Sequence, residues 1–460
     1  MEHHTLPYSL FLRLRNARSL ESTAMAKFPR KFLYSVLSIS VFTLLLFLSP
    51  KTSPRHSRSF SHAVDLEIPF PPPPKIAYFI SGSNGDGARI LRLLHAVYHP
   101  RNQYLLHLDR AASQQQREDL CVSILSVETF TAAENVNVVG KADSVNYGGS
   151  TPLASVLHGA AIMLRYSKDW DWFVNLEAPD YPLITQDDFL HVLSFVPKDF
   201  NFIEHTSNIG WKEYQRIIPI VVDPGLYLAS KGGIFVVDKK RALPKAYSAV
   251  SEASHDASGS FVIGYLDLSF IPPAEFVILG NVLPLIFCSP SVILSRKLVE
   301  FSILGWDNLP RSLLLYFSNM KSSHRGYFQT LACNSKEFSN TVVNSDLRFV
   351  AWDNPRGKAP RNLKRSDLNK MLGTGAAFAG RFLPNDSALD VIDSVVLRRN
   401  RGTVAPGGWC VGRHGRSRDP CQLWGDINIL RPGPAAKRFE KLLQRVMANT
   451  TFWSNLCIQH

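Results

Sequence analysis

The chain has 460 residues, with 51 Lys and Arg against 38 Asp and Glu, for a formal net charge of +13. Apolar residues make up 45% and charged residues 19%, a globular composition that excludes a disordered or collagen-like chain. Six cysteines without a C-x-x-C pair (Cys121, Cys288, Cys333, Cys410, Cys421, Cys457) exclude a disulfide-built miniprotein and argue against a zinc ribbon or thioredoxin-type site. The length fits two to three domains or one large α/β domain. The basic balance points to nucleic acid, a membrane surface or phosphorylated ligands.

Residues 1–31 form a polar tail containing Arg13, Arg15, Arg18, Lys27, Arg30 and Lys31. The uncharged run FLYSVLSISVFTLLLFL follows at 32–48. It is at the short end of the range for a spanning helix, about 17–25 residues. The heavier basic flank precedes it, which predicts a signal anchor with a cytoplasmic tail and the bulk of the chain lumenal. A cleaved signal peptide is the alternative, and Met25 is an alternative start that leaves the topology unchanged. Residues 49–74 are polar and end in four consecutive prolines, an extended stem. A lumenal chain would offer the sequons at Asn385 and Asn449 for glycosylation.

From residue 75 the pattern alternates. The run 75–80 (KIAYFI), a Gly-rich turn, an apolar-periodic segment 89–98 and the run 104–108 before Asp109 read as strand, turn, helix, strand. Further strands are predicted at 135–139, 172–176 and 201–204, with a helix over 151–166. The expectation is an α/β domain, 75–460, with a mostly parallel sheet flanked by helices. Ligands of such sheets sit beyond the carboxyl ends of the strands. Asp109 and Asp180 follow apolar runs and are therefore candidate ligand residues; the alternative for each is a cap or turn carboxylate. Asp169-Trp-Asp171 has the D-x-D spacing of a metal site. It precedes its strand, however, so a solvated strand entrance is the stronger reading and no metal is expected.

Several blocks together resemble glycosyltransferase family 14, which contains the core-2 and I-branching enzymes. They are KIAYFISGS with LLHAVYHPRNQYLLHLD, NYGGSTPLASVLHGA, DWDWFVNLEAPDYPLITQDD, NFIEHTSNIGWKEYQR, GWDNLPR, VNSDLRFVAWDNP, and TVAPGGWC with DPCQLWGD. Two of them, DYPLITQDD and EHTSNIGWKEYQR, are most similar to the plant glucuronosyltransferases that extend arabinogalactan chains. The resemblance implies a GT-A-like domain on a Golgi type II anchor. It also implies an inverting reaction that takes glucuronic acid from UDP-glucuronate to a glycan on a glycoprotein, without a metal or other cofactor. It assigns the diphosphate to Arg418 and Lys437, within a basic stretch that also holds Arg413, Arg416, Arg431 and Arg438. Trp352 is placed beside the acceptor. Disulfides are expected at Cys410–Cys421 and Cys333–Cys457, with Cys121 and Cys288 free.

Two departures stand out. Arg325 occupies the position of the family's catalytic Glu, and an arginine stays protonated and cannot act as a base. That leaves the catalytic group unknown, with His324 as a possible substitute. It also opens the alternative of a catalytically silent member that binds glycan or nucleotide sugar. Residues 261–288 form an apolar, Pro-containing addition, read as an insertion or a gene-model error. A nucleic-acid-binding role is disfavoured, since no module for it is recognisable.

Overall fold

The computed structural model describes residues 71–204, 219–227, 233–241, 290–353, 360–412 and 419–448. All of them belong to one unit, Phe70–His460. The apolar run 32–48, the stem up to residue 70, the addition at 261–288, Arg418, Asn449, Cys288 and Cys457 lie outside the described residues. Among those described, no helix is long and apolar enough to cross a membrane.

The strands are β1 (Ile76–Gly82), β2 (Gln103–Leu108), β3 (Val136–Val138), β4 (Trp172–Glu177), β5 (Tyr181–Pro182) and β6 (Asn201–Phe202). They are followed by β7 (Pro219–Val222), β8 (Phe235–Lys240), β9 (Ile293–Ser295), β10 (Val342–Val343), β11 (Arg348–Phe349) and β12 (Phe378–Ala379). Seven of them form the main sheet in the order β10-β6-β9-β4-β1-β2-β3. β1 pairs in parallel with β2 and β4, β2 with β3, and β10 with β6. β9 runs antiparallel to both its neighbours, β4 and β6. The sheet is thus mostly parallel, with one reversed strand in its interior. β11, β12 and β5 form a small second sheet, and β7 and β8 a hairpin.

The reading IAYFI as a central strand holds because both faces of β1 are covered, and doubly buried parallel strands carry continuous apolar runs. Ile76, Tyr78 and Ile80 join one core with Tyr104, Leu106, Trp172 and Val174. Ala77 and Phe79 join the opposite core with Leu105 and Phe173.

Helices α1 (Gly87–Val97), α2 (Gln114–Leu125), α3 (Glu128–Ala133), α4 (Thr151–Tyr166), α5 (Gln186–Leu193) and α6 (Arg296–Leu304) come next in chain order. α7 (Asn308–Phe317), α8 (Tyr327–Asn334), α9 (Leu368–Thr374), α10 (Ser387–Val391) and α11 (Pro434–Met447) complete the described helices. α1, α2, α5 and α11 feed the first core, and α4, α6, α7 and α8 the second. The N-terminus of α4 has no cap of its own. Asp223, beyond β7, accepts hydrogen bonds from the Ser150 and Thr151 amides, both at 3.0 Å, and from the Thr151 hydroxyl at 2.8 Å.

α4 lies against the sheet so closely that a Cβ on Gly159 would stand 2.5 Å from the Phe79 ring. Helix propensity alone favours Gly159→Ala by about 1 kcal/mol. Overpacking a filled core costs about 1–3 kcal/mol. The packing cost is expected to win, so Gly159→Ala should lower the thermal midpoint; a rise would mean that α4 can move off the sheet.

Candidate active site

Three strands end side by side. Gly82 of β1 pairs with Leu108 of β2, and Ser81 with Glu177 of β4. The residues just past these ends, with the start of α4 and the turn at 323–325, enclose a cavity. Its walls include Gly82, Asp109, Tyr147, Asn175, Glu177 and His324. Gly82 is needed there: a Cβ would meet Asp86 at 2.8 Å and Ile90 at 2.9 Å. Asn175 ties the far segment to β4, accepting from the Val292 amide at 2.8 Å and donating to the Pro290 carbonyl at 3.2 Å.

Asp109 is buried, and its Oδ1 accepts from the Ser83 hydroxyl at 3.1 Å and the Ala111 amide at 2.9 Å. It borders the cavity while its Oδ1 fixes the turns after β1 and β2, the role of a turn carboxylate. Asp180 takes the alternative reading, that of a turn carboxylate. It lies behind the cavity wall, where its Oδ1 accepts from Arg348 Nη1 at 2.6 Å and its Oδ2 from the Glu177 amide at 2.7 Å. Both side chains of the pair are buried. A carboxylate so enclosed is a brace for the turn after β4 and does not face a ligand. Gly380 permits this approach, since a Cβ there would stand 2.3 Å from Asp180 Oδ1.

Glu177 was not singled out in the sequence, yet it lines the cavity. Burial and the neighbouring Asp180 push its carboxyl pKa up. Arg381, Arg348 and a hydrogen bond with Tyr147 oppose that rise. The Tyr147 hydroxyl is in turn pushed up, by burial and by Glu177. Arg381 is exposed, just past β12, and its charge acts on both Glu177 and Tyr147.

The turn Ser323–Arg325 precedes α8. His324 is buried in the cavity wall, edge-on to Tyr147 with ring centroids 5.8 Å apart. Burial first, and the Arg325 charge second, push its pKa down to about 3. The imidazole is therefore neutral and a weak proton acceptor, which removes it as a substitute for a carboxylate. Arg325 is half-buried and is not one of the cavity's lining residues.

The described members of the C-terminal basic stretch, Arg431, Lys437 and Arg438, do not line this cavity. Gln186, the first residue of α5, accepts from Tyr78 Oη at 3.0 Å and Asn102 Nδ2 at 3.1 Å, near the entrances of β1 and β2. The next two residues hold the C-terminal segment. Asp187 accepts from the Gly408 and Arg431 amides, both at 2.7 Å, and Asp188 from the Gly433 amide at 2.6 Å. Lys437, exposed in the first turn of α11, is thereby anchored near the amino ends of the strands. At about 3.3 Å per residue, β1 alone separates those ends by roughly 20 Å. The structure does not bring Lys437 to the cavity. Its assigned partner Arg418 lies outside the described residues.

Trp352 is half-buried beside the Ala351–Arg361 bridge and does not line the cavity. Asp169 pairs with Lys75, and Asp171 accepts from the Lys75 amide at 2.9 Å and from Lys198 at 2.8 Å. These two acids sit at the entrance of β4, away from the cavity. Among the described residues no group of three or more His, Cys, Asp or Glu is arranged to hold a metal. Cys410 and Cys421 are disulfide-bonded, with α-carbons 4.4 Å apart. Cys333 is disulfide-bonded too, though its expected partner Cys457 is not described. Cys121 is free. Asn385 is exposed in the turn before α10.

The Core-2/I-Branching enzyme family model matches residues 76–372. Beta-glucuronosyltransferase GlcAT14A of Arabidopsis thaliana is 44% identical over 387 residues, covering 84% of this chain and 78% of that one. Beta-glucuronosyltransferase GlcAT14C of the same plant is 39% identical over 437 residues, covering 93% and 98%. A solved structure, the WbbM bifunctional glycosyltransferase in its apo form, aligns at 11% identity over 70% of this chain and 48% of that one, with a TM-score of 0.28. That score is too low to show a shared fold. The family match and the two plant relatives agree over the cavity-bearing part of the chain, and the protein belongs to the Core-2/I-branching enzyme family of glycosyltransferases.

Proposed function

We propose that this glycosyltransferase moves glucuronic acid from UDP-glucuronate to galactan chains of a glycoprotein, with inversion and without a metal. The domain would be GT-A-like and would face the Golgi lumen behind a type II anchor at 32–48. Similarity to two relatives named beta-glucuronosyltransferases supports the donor. The observation that carries the reading is the cavity at the carboxyl ends of β1, β2 and β4, which Asp109, Tyr147 and Glu177 line. In a parallel sheet this is the position where ligands bind. Arg381, whose charge acts on the lining residue Glu177, supplies positive charge for a diphosphate. Cations placed there stabilise a departing diphosphate as a metal would.

The test is transfer by the purified full-length protein across a panel of UDP sugars, with a galactan oligosaccharide as acceptor, with and without chelator. Transfer from UDP-glucuronate that survives chelation is expected. Transfer from a different sugar alone, or transfer abolished by chelator, would overturn the donor or the metal-free mechanism respectively. Arg325 favours a second reading, a silent member that binds donor without transferring it. UDP-glucuronate binding with no product from any acceptor would decide for that reading.

A further inference from the structure

An inverting transfer needs a group that accepts the acceptor hydroxyl's proton as the oxygen attacks. The turn at 323–325 offers only a neutral, weakly basic His324 and a permanently charged Arg325. Around the cavity the remaining candidates are Asp109, His107, Tyr147 and Glu177. Asp109 Oδ1 already accepts two hydrogen bonds that fix the turns. His107 Nε2 accepts from the Asp143 amide at 3.0 Å, so its lone pair is occupied. Tyr147 holds its proton more tightly than an ordinary tyrosine.

Glu177 is a carboxylate on the cavity wall whose side-chain hydrogen bond goes to Tyr147, another lining residue. It is the last residue of β4, and its main chain is fixed on both sides. Its amide donates to Asp180, and the Ala178 amide donates to the Ser81 carbonyl at 2.7 Å. We propose that Glu177, on the wall of this cavity, is the general base of this enzyme and takes the role that Arg325 cannot fill. The proposal rests on the transferase reading above. In the step, the acceptor O–H bond breaks and its proton passes to the Glu177 carboxylate. The acceptor oxygen bonds to the anomeric carbon, whose bond to the phosphate oxygen breaks, and that electron pair leaves with UDP. The proton on Glu177 then returns to water. The surroundings of Glu177 favour such a transfer. Burial and Asp180 raise the carboxyl's proton affinity, while Arg348, Arg381 and Tyr147 keep its charged form within reach.

The experiment uses the full-length protein with UDP-glucuronate and a galactan oligosaccharide. Glu177→Gln is expected to lower kcat by about 10²–10⁴-fold. Its Kd for UDP-glucuronate should stay within about twofold, as for a group acting only in the transition state. Glu177→Ala should be as slow, and added formate should restore part of its rate by placing a carboxylate in the vacated space. The kcat of the wild type should rise with pH through a limb above the ordinary Glu range, and the Gln variant should lose that limb. The groups that set the limb are Asp180, Arg348, Arg381 and Tyr147, with Asp109, His107 and His324 around them.

A Gln variant that keeps the wild-type rate would overturn the proposal, as would a folded, donor-binding Ala variant that formate leaves inactive. A wild type that binds UDP-glucuronate but transfers to no acceptor would also overturn it and establish the silent reading. A wild type that binds no UDP sugar would overturn the transferase reading itself, and the role of Glu177 with it.

Discussion

Arg348→Met is expected to destabilise the protein by about 3–5 kcal/mol, the usual cost of breaking a buried ion pair from one side. The side chains of Arg348 and Asp180 are 9% and 1% exposed, with Nη1 and Oδ1 2.6 Å apart. Removal of the guanidinium leaves Asp180 charged, buried and close to Glu177, a second carboxylate. Asp180→Ala should cost a similar amount, because it strands Arg348 and also deprives the Glu177 amide of its acceptor. The double variant should recover part of the loss, since an apolar replacement of both partners removes the uncompensated charge. Denaturant unfolding of the four proteins measures this directly. A loss below about 1 kcal/mol in either single variant would show that solvent reaches the pair, as it reaches surface bridges.

That pair also shows what the sequence could and could not reveal. β1 and β4 were legible because burial on both faces demands continuous apolar residues, and IAYFI and WFVNL provide them. α4 was legible from its apolar spacing. β9 was not: three residues, Ile293–Ser295, carry no periodic signal, and their antiparallel place between β4 and β6 is fixed by partners far away in the chain. The cluster behind the cavity was hidden for the same reason. Asp180 and Arg348 meet because β5, β11 and β12 form their own small sheet.

Within the site, Asp109 is legible as the polar residue that follows an apolar strand. The same rule covers Glu177, which directly follows Leu176. In the sequence, however, the strand is read to end at 176, and Asp180 is taken as the candidate without weighing Glu177. Lys437 is a different case. A dense basic stretch in the sequence is a statement about composition. Asp187 and Asp188 hold the Gly408, Arg431 and Gly433 amides, and so fix the segment that leads into α11 and Lys437.

Arg381 therefore replaces Lys437 as the cation expected to hold the donor diphosphate, and Arg381→Ala should weaken UDP binding about tenfold or more. A charge-assisted hydrogen bond to phosphate is worth roughly 1.5–3 kcal/mol, and each 1.4 kcal/mol is a factor of ten in Kd. Three observations favour this residue. It lies two residues past β12, and the Leu363 amide donates to its carbonyl at 2.8 Å, which fixes its backbone. Its side chain is exposed, so no buried partner has to be given up when an anion arrives. Its charge already acts on Glu177 and Tyr147, which places it at the cavity and not at the far end of the sheet. Arg348, the other cation nearby, is committed to Asp180. Lys437→Ala should leave the Kd for UDP within about twofold, the scatter expected of an exposed surface charge at physiological salt. Titration calorimetry with UDP on both variants, repeated at low and high salt, separates the cases. A salt-dependent loss confined to Arg381→Ala is the expected pattern. A loss confined to Lys437→Ala would mean that the diphosphate lies at the amino ends of the strands, and the cavity beside Glu177 would not be the donor site.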